Sequence, residues 1–359
     1  MQIKLKIKKL KIIYIIFFLV LLSIIFFSTT FSHAKTFKVS NIEISQSFDL
    51  NFNKNEVIDK GFKLAFLNLM SMITTSGDIN KINKTSLNKI KGMIDSFTIS
   101  NEKFINDNYF VNLDVSFNKK NTLYFLESKN IFPSIPVKNK ILIIPIIIDL
   151  ELDNIFLFSK NNFYNNWNKK KESYHLLEYL LPSEDLDDLN LIQKNFEKIE
   201  EYDFKDLIKK YDLQDYIISI IFKKKKEVRV LSKINLNNSL KLNNKIFLNI
   251  DINEEEGLNL VLKELKIIYE DFWKKNNEIN TSIKLPLTIS VNSNEYSKIE
   301  IFEKTLDNLD LVSDFFVLRF DNRKLFYRII YNGSPVNFLD DMKKVNFNFF
   351  TENNVWSLK

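Results

Sequence analysis

Hydrophobic positions along the chain switch between two periods. Residues 37–48 alternate, with Phe37, Val39, Ile42 and Ile44 apolar, and predict a strand. Residues 56–73 repeat at helical spacing through Val57, Ile58, Phe62, Ala65, Phe66, Leu69, Met70 and Ile73. Asn55 is placed to cap that helix and Ser76-Gly77-Asp78 to end it. A short helix over 85–94 follows, then strands over 97–104 and 109–117 around an Asn106-Asp107-Asn108 turn, and a helix over 121–129. Pro133 and Pro136 close this unit, whose order is β-α-α-β-β-α.

Residues 141–148 are an unbroken apolar octet, the pattern of a strand buried on both faces. An Asn-rich, aromatic loop occupies 161–167, and residues 173–181 read as helical around His175. Leu180-Leu181-Pro182-Ser183 reads as a strand end leading into a helix, and 204–211 as a short helix. A second buried strand at 216–222 continues as a hairpin or meander to 252. Residues 254–275 predict a long amphipathic helix with Leu258, Val261, Leu262, Leu265, Ile268 and Phe272 on its apolar face. Glu254, Glu255 and Glu256 at its start and Lys274 and Lys275 at its end suit the helix dipole. The last region predicts a strand at 287–291, a helix at 295–306, strands at 311–320 and 324–331, a helix at 336–343, and a strand or hairpin over 347–356. That order is the ferredoxin-like β-α-β-β-α-β. The expected architecture is α+β in three small modules: 35–136, an α/β-like 137–280, and 281–359.

The start of the chain changes the picture of where it works. Lys4, Lys6, Lys8, Lys9 and Lys11 precede an apolar run at 12–27, and Ser32-His33-Ala34 forms a small-x-small site. Residues 1–34 therefore read as a secretory signal peptide with cleavage expected after Ala34, placing the protein in the periplasm. The alternative is an uncleaved inner-membrane anchor over 12–31, which would also give membrane contact. The absence of Cys excludes a lipoprotein route and any disulfide. All but one unit of the formal net charge of +6 belongs to this segment, since removing its five Lys leaves 46 basic against 45 acidic residues. A near-neutral mature chain has no field to recruit nucleic acid, and no nucleic-acid partner is expected.

Candidate chemistry is sparse. One His, His175, remains after cleavage, which leaves no zinc pattern and only one possible triad base, with no Gly-x-Ser-x-Gly elbow. No P-loop or dinucleotide fingerprint is present. Two clusters are worth following. Glu184, Asp185, Asp187 and Asp188 form an acidic group that suits either a Ca²⁺ site or the charged start of a helix. Phe163, Tyr164 and Trp167 form an aromatic group that suits either a partner-binding surface or a plug at the edge of the core. The basic run Lys223 to Lys226 suits a solvated hairpin tip or contact with anionic lipid, and Glu102 beside Lys103 an ion pair or a solvated strand face.

The landmarks resemble the DUF2066 family of exported proteobacterial proteins of unassigned function, over nearly all of residues 37–358. The resemblance rests on Phe37-Lys38-Val39-Ser40-Asn41-Ile42-Glu43-Ile44, Ala65-Phe66 with Leu69, Phe97 to Lys103, Tyr109 to Phe117, Ile141 to Pro145 with Trp167, Leu181 to Asp188, Tyr211 with Tyr216-Ile217-Ile218, Ile329 to Gly333, and Val355 to Leu358. Asn162-Phe163-Tyr164 and Gly333-Ser334 depart from the family pattern. The resemblance implies an envelope protein and carries over no catalytic residues. The middle module also looks like the N-terminal domain of TolB-type periplasmic proteins, as fold analogy. The expectation is a non-enzymatic adaptor or assembly factor with an envelope protein partner, no cofactor, and no catalytic or metal residues. The alternatives are a small-ligand or lipid binder and a carboxylate-dependent hydrolase.

Overall fold

The computed structural model describes residues 36–172, 174–321, 323–351 and 354–359. The expected export signal and the alternative anchor lie outside the described residues. The first module runs β1 (Thr36–Ser47), α1 (Lys54–Ile73), short helices α2 (Ile79–Ile82) and α3 (Leu87–Lys91), β2 (Ile94–Ile105), β3 (Asn108–Asn118) and α4 (Lys119–Glu127). Its antiparallel sheet has the order β1-β3-β2. Alternation sends Tyr109, Val111, Leu113, Val115 and Phe117 of β3 to one face, where they meet Val57, Phe62, Phe66 and Leu69 of α1. The helix approaches closely at Gly61, where a Cβ would lie 2.2 Å from Leu113 Cδ1. The cap of α1 is Asn53, two residues before the expected Asn55, whose N–H donates to the Asn53 side chain at 3.0 Å.

The middle module contains β4 (Asn139–Asp149), β5 (Asn154–Phe156), α5 (Asn162–Asn166), β6 (Leu177–Leu180), α6 (Leu186–Lys194), α7 (Lys205–Lys209), β7 (Tyr216–Lys224), β8 (Glu227–Leu236), β9 (Ser239–Leu248) and α8 (Glu255–Asn276). The strands form one sheet in the order β5-β4-β7-β8-β9, with β6 paired to the first half of β4. The central β4 and β7 are parallel and buried on both faces, as their continuous apolar runs require. Ile141, Ile143 and Ile147 face α8, while Leu142, Ile144, Ile146 and Ile148 face Ile192 of α6 and Leu207 of α7. The helical expectation for 173–181 is corrected: Leu177–Leu180 is strand β6, in parallel register with Asn139–Leu142. Partner availability on β4 outweighs local propensity there.

The third module contains β10 (Leu285–Asn292), α9 (Tyr296–Asn308), β11 (Val312–Phe320), β12 (Lys324–Tyr331), α10 (Pro335–Lys344), β13 (Phe349–Phe350) and β14 (Trp356–Leu358). Its sheet order is β11-β12-β10-β14-β13. The final piece is a hairpin, and its return strand β14 lies beside β10 in parallel register, Ile289 with Trp356. The antiparallel strand that usually fills that slot in a ferredoxin-like sheet is thus one place further out, as β13.

Residues Thr36–Lys359 form one compact unit with three sheets, an α+β fold. Backbone bonds join the first two modules, from Ile279 N to Pro133 O at 2.7 Å and from Ile135 N to Asn277 O at 3.1 Å. The buried Lys119 reaches Asp310 at 2.7 Å and ties the first module to the third. Among the described residues no helix is long and apolar enough to cross a membrane.

Candidate functional site

Helix α8 buries Leu258, Val261, Leu262, Leu265, Tyr269 and Trp273. The expected core residues Ile268 and Phe272 are only half-buried, because the stripe rotates toward Tyr269 and Trp273. Three charges on its flank, Lys266, Glu270 and Lys274, are buried too, one turn apart from each other. Lys274 thus sits in the last turn, where the helix dipole favours a cation, and is interior. The end of α1 and the segment before β6 pack over that flank and remove it from water.

Each buried charge holds a backbone group of another segment. Lys274 Nζ donates to Ser71 O of α1 at 2.5 Å, and Lys266 Nζ to Lys170 O at 2.8 Å. Glu270 Oε1 accepts from the N–H groups of Leu176 and Leu177, both at 2.9 Å. Burial pushes the Glu270 carboxyl up and the Lys266 and Lys274 ammonium groups down. His175 is also buried, not at a surface or on a helix face. Burial first, then the positive charges of Lys266, Lys274 and Lys171, push its imidazole down to about 4, so it is neutral at pH 7.

Two cavities meet at His175. One, about 150 Å³, is lined by Ser71, Thr74, Tyr174, Glu270, Asp271 and Lys274 among others. The other, about 260 Å³, is lined by Lys170, Lys171, Tyr179 and Lys266 among others. The two adjacent carboxylates do not form a free pair: Asp271 accepts from Ser76 N at 2.8 Å and from Ser76 Oγ at 2.6 Å. The cluster therefore acts first as a set of staples between segments. The polar atoms it leaves buried without a partner among the described residues are Glu270 Oε2 and Tyr179 Oη.

The acidic group resolves into helix capping and an ion-pair network. Asp185 caps α6 by accepting from Asp187 N at 2.8 Å and Asp188 N at 3.4 Å. Lys210 lies 2.8 Å from both Asp185 and Asp188, and Glu184 accepts from Ser159 N at 3.2 Å. Among the described residues no group of three or more His, Asp or Glu side chains could hold a metal ion. The aromatic group is core, not surface: Phe163 and Trp167 are fully buried. The half-buried Tyr164 donates from its hydroxyl to Pro182 O at 2.7 Å. Trp167 stacks on Tyr269 of α8 with ring centroids 6.3 Å apart. Glu102 pairs with Lys54 at 2.5 Å, not with Lys103. Lys223 pairs with Asp149 at 2.9 Å, and Lys225 and Lys226 form the solvated β7–β8 turn.

What sequence reading passed over is strand β9, taken only as part of a meander. Among the described residues it is the free edge of the largest sheet and pairs with β8 alone. Leu240, Leu242, Ile246 and Leu248 are 51–66 % exposed and share the face covered elsewhere by α6 and α7. Cover stops at β8, where Arg229 pairs with Glu200 and Lys233 Nζ donates to Tyr202 O. The other long edges are irregular: β1, β2 and β11 each carry register shifts. β9 pairs without one. Bulges blunt a sheet edge against unwanted pairing, and β9 lacks that protection.

No protein-family model, no curated protein and no solved structure matches the chain.

Proposed function

We propose that the chain is an exported envelope protein of the DUF2066 kind that acts as a non-enzymatic adaptor or assembly factor, with β9 as its working edge. One observation carries the reading: a ten-residue strand, regular and unpaired on one side among the described residues, displays four aliphatic side chains to solvent. Such an edge adds a strand from a partner through main-chain hydrogen bonds, with the side-chain alternation supplying specificity. The buried charges of α8 support a structural role, since each head group is committed to backbone. The small-ligand alternative rests on the 260 Å³ cavity beside His175.

Site-specific photocrosslinking tests the proposal. A photoreactive residue replaces Leu242 in the full chain, and a second chain carries it at exposed Tyr296 of α9 as a control. Adducts formed in intact envelopes from position 242 and not from 296 are expected. Equal labelling from both positions, or none from 242, overturns the assignment of the edge.

A further inference from the structure

Resting on the reading of β9 as a working edge, we propose that the segment β9 accepts is β9 of a second copy of this chain, antiparallel and centred on Asn244. The strand reads Leu240-Lys241-Leu242-Asn243-Asn244-Lys245-Ile246-Phe247-Leu248. About Asn244 the apolar positions of its exposed face are symmetric. In a two-fold pairing Leu240 meets the second copy's Leu248, Leu242 meets its Ile246, and Asn244 meets its own equivalent. A two-fold contact requires this self-complementarity.

Hydrogen-bond parity requires the two-fold to pass through a residue and not between residues, and so admits this arrangement. The β7–β8 hairpin closes on Lys224 and Glu227 around a two-residue turn, and the β8–β9 hairpin on Leu236 and Ser239. The pair flanking a two-residue turn is hydrogen-bonded, and pairs alternate from there. Ser239, Lys241, Asn243, Lys245 and Phe247 thus spend their backbone groups on β8, as both hairpins require. Leu240, Leu242, Asn244, Ile246 and Leu248 point theirs outward. Centring on Asn244 pairs every outward residue with an outward residue of the second copy.

Charge excludes the neighbouring registers. Centring on Asn243 sets Lys241 opposite the second copy's Lys245, and centring on Lys245 sets that residue opposite itself. Directly opposed like charges destabilise a sheet. Centring on Asn244 sets Lys241 opposite Phe247 and Lys245 opposite Asn243. The Asn243 side-chain oxygen is buried with no partner among the described residues. The second copy's Lys245 brings it a donor. The ends match as well: the paired stretch stops where Asn238 and Asn249 take left-handed conformations, at φ 60° and 58°.

The absence of cysteine makes the register directly measurable. In the full chain, Asn244→Cys places two thiols on residues about 5.5 Å apart between Cα atoms, within disulfide range. Leu240→Cys places them roughly 25 Å or more apart, eight residues of strand. Oxidation is expected to link Asn244→Cys into a dimer and to leave Leu240→Cys monomeric. A second set uses side chains that are exposed in the single chain, so folding is preserved. Leu242→Glu with Ile246→Glu sets carboxylates opposite each other, although Lys233 and Arg229 neighbour them within each copy. Leu242→Glu with Ile246→Lys sets opposite charges together. Light scattering is expected to show a wild-type dimer, at least a tenfold weaker dimer for the Glu/Glu form, and recovery for the Glu/Lys form. A wild-type monomer, equal linking at 240 and 244, or identical behaviour of the two charged forms overturns the pairing. Photocrosslinks from position 242 to a different protein, with a monomeric purified chain, overturn the self-pairing while the adaptor reading stands. Absence of any adduct from 242 overturns both.

Discussion

Glu270 gives the sharpest test of the charge cluster. Its carboxylate is buried and accepts two backbone N–H groups, those of Leu176 and Leu177. Glu270→Ala leaves both donors buried and unpaired, at about 1–3 kcal/mol each. We expect a total loss of about 4 kcal/mol. Glu270→Gln keeps an acceptor for the two N–H groups and removes a charge that burial disfavours, so it should stay within about 1 kcal/mol of wild type. Urea unfolding followed by tryptophan fluorescence measures both, because Trp167 and Trp273 sit in the core that Glu270 borders. With a slope near 3 kcal/mol per molar, the Ala change moves the midpoint by roughly 1 M. A shift below about 0.3 M for Ala, or equal shifts for Ala and Gln, would refute the stapling role.

Three further outcomes follow from the same geometry. His175 has a folded-state pKa of about 4, below its ordinary value near 6.5. The unfolded chain therefore binds the proton first, and stability falls as pH drops from about 6.5 to about 4. The slope is at most 1.4 kcal/mol per pH unit, or about 3 kcal/mol in all. His175→Gln should remove that component, and parallel stability profiles for the two proteins would contradict it. Asn161 accepts from Phe163 N and Tyr164 N and donates to Pro145 O and Phe156 O while fully buried. Asn161→Ala should cost about 3–4 kcal/mol in the same urea assay; a cost under 1 would sink the account of that turn. Asp185→Asn keeps the cap acceptor of α6, and Asp185→Ala does not, so thermal unfolding should fall further for Ala.

The elements with strong periodicity were legible. The octet in β4 and the alternation in β3 set their faces directly, while the short helix α2 between α1 and α3 was not foreseen in the expected β-α-α-β-β-α order. The β8–β9 turn, Asn237-Asn238 with both residues at positive φ, was read only within a hairpin or meander, although such an Asn pair is the local signal for it. The flank of α8 was hidden. Lys266, Glu270 and Lys274 at one-turn spacing look like a solvated face, and only the packing of α1 and the segment around His175 makes them interior. Phe163 and Trp167 were ambiguous because aromatic side chains serve surfaces and cores alike, and the stacking partner Tyr269 lies about a hundred residues away. β9 was visible as an alternating run, but nothing local says that one of its sides stays unpaired.

The central claim is that β9 works as a pairing edge. Residue-resolved amide exchange on the full chain, across concentrations spanning its association, tests it most directly. Slowing confined to Leu240, Leu242, Asn244, Ile246 and Leu248, with Lys241, Asn243, Lys245 and Phe247 already slow in the single chain, is the predicted result. Outward amides that exchange at the same fast rate at every concentration would contradict it.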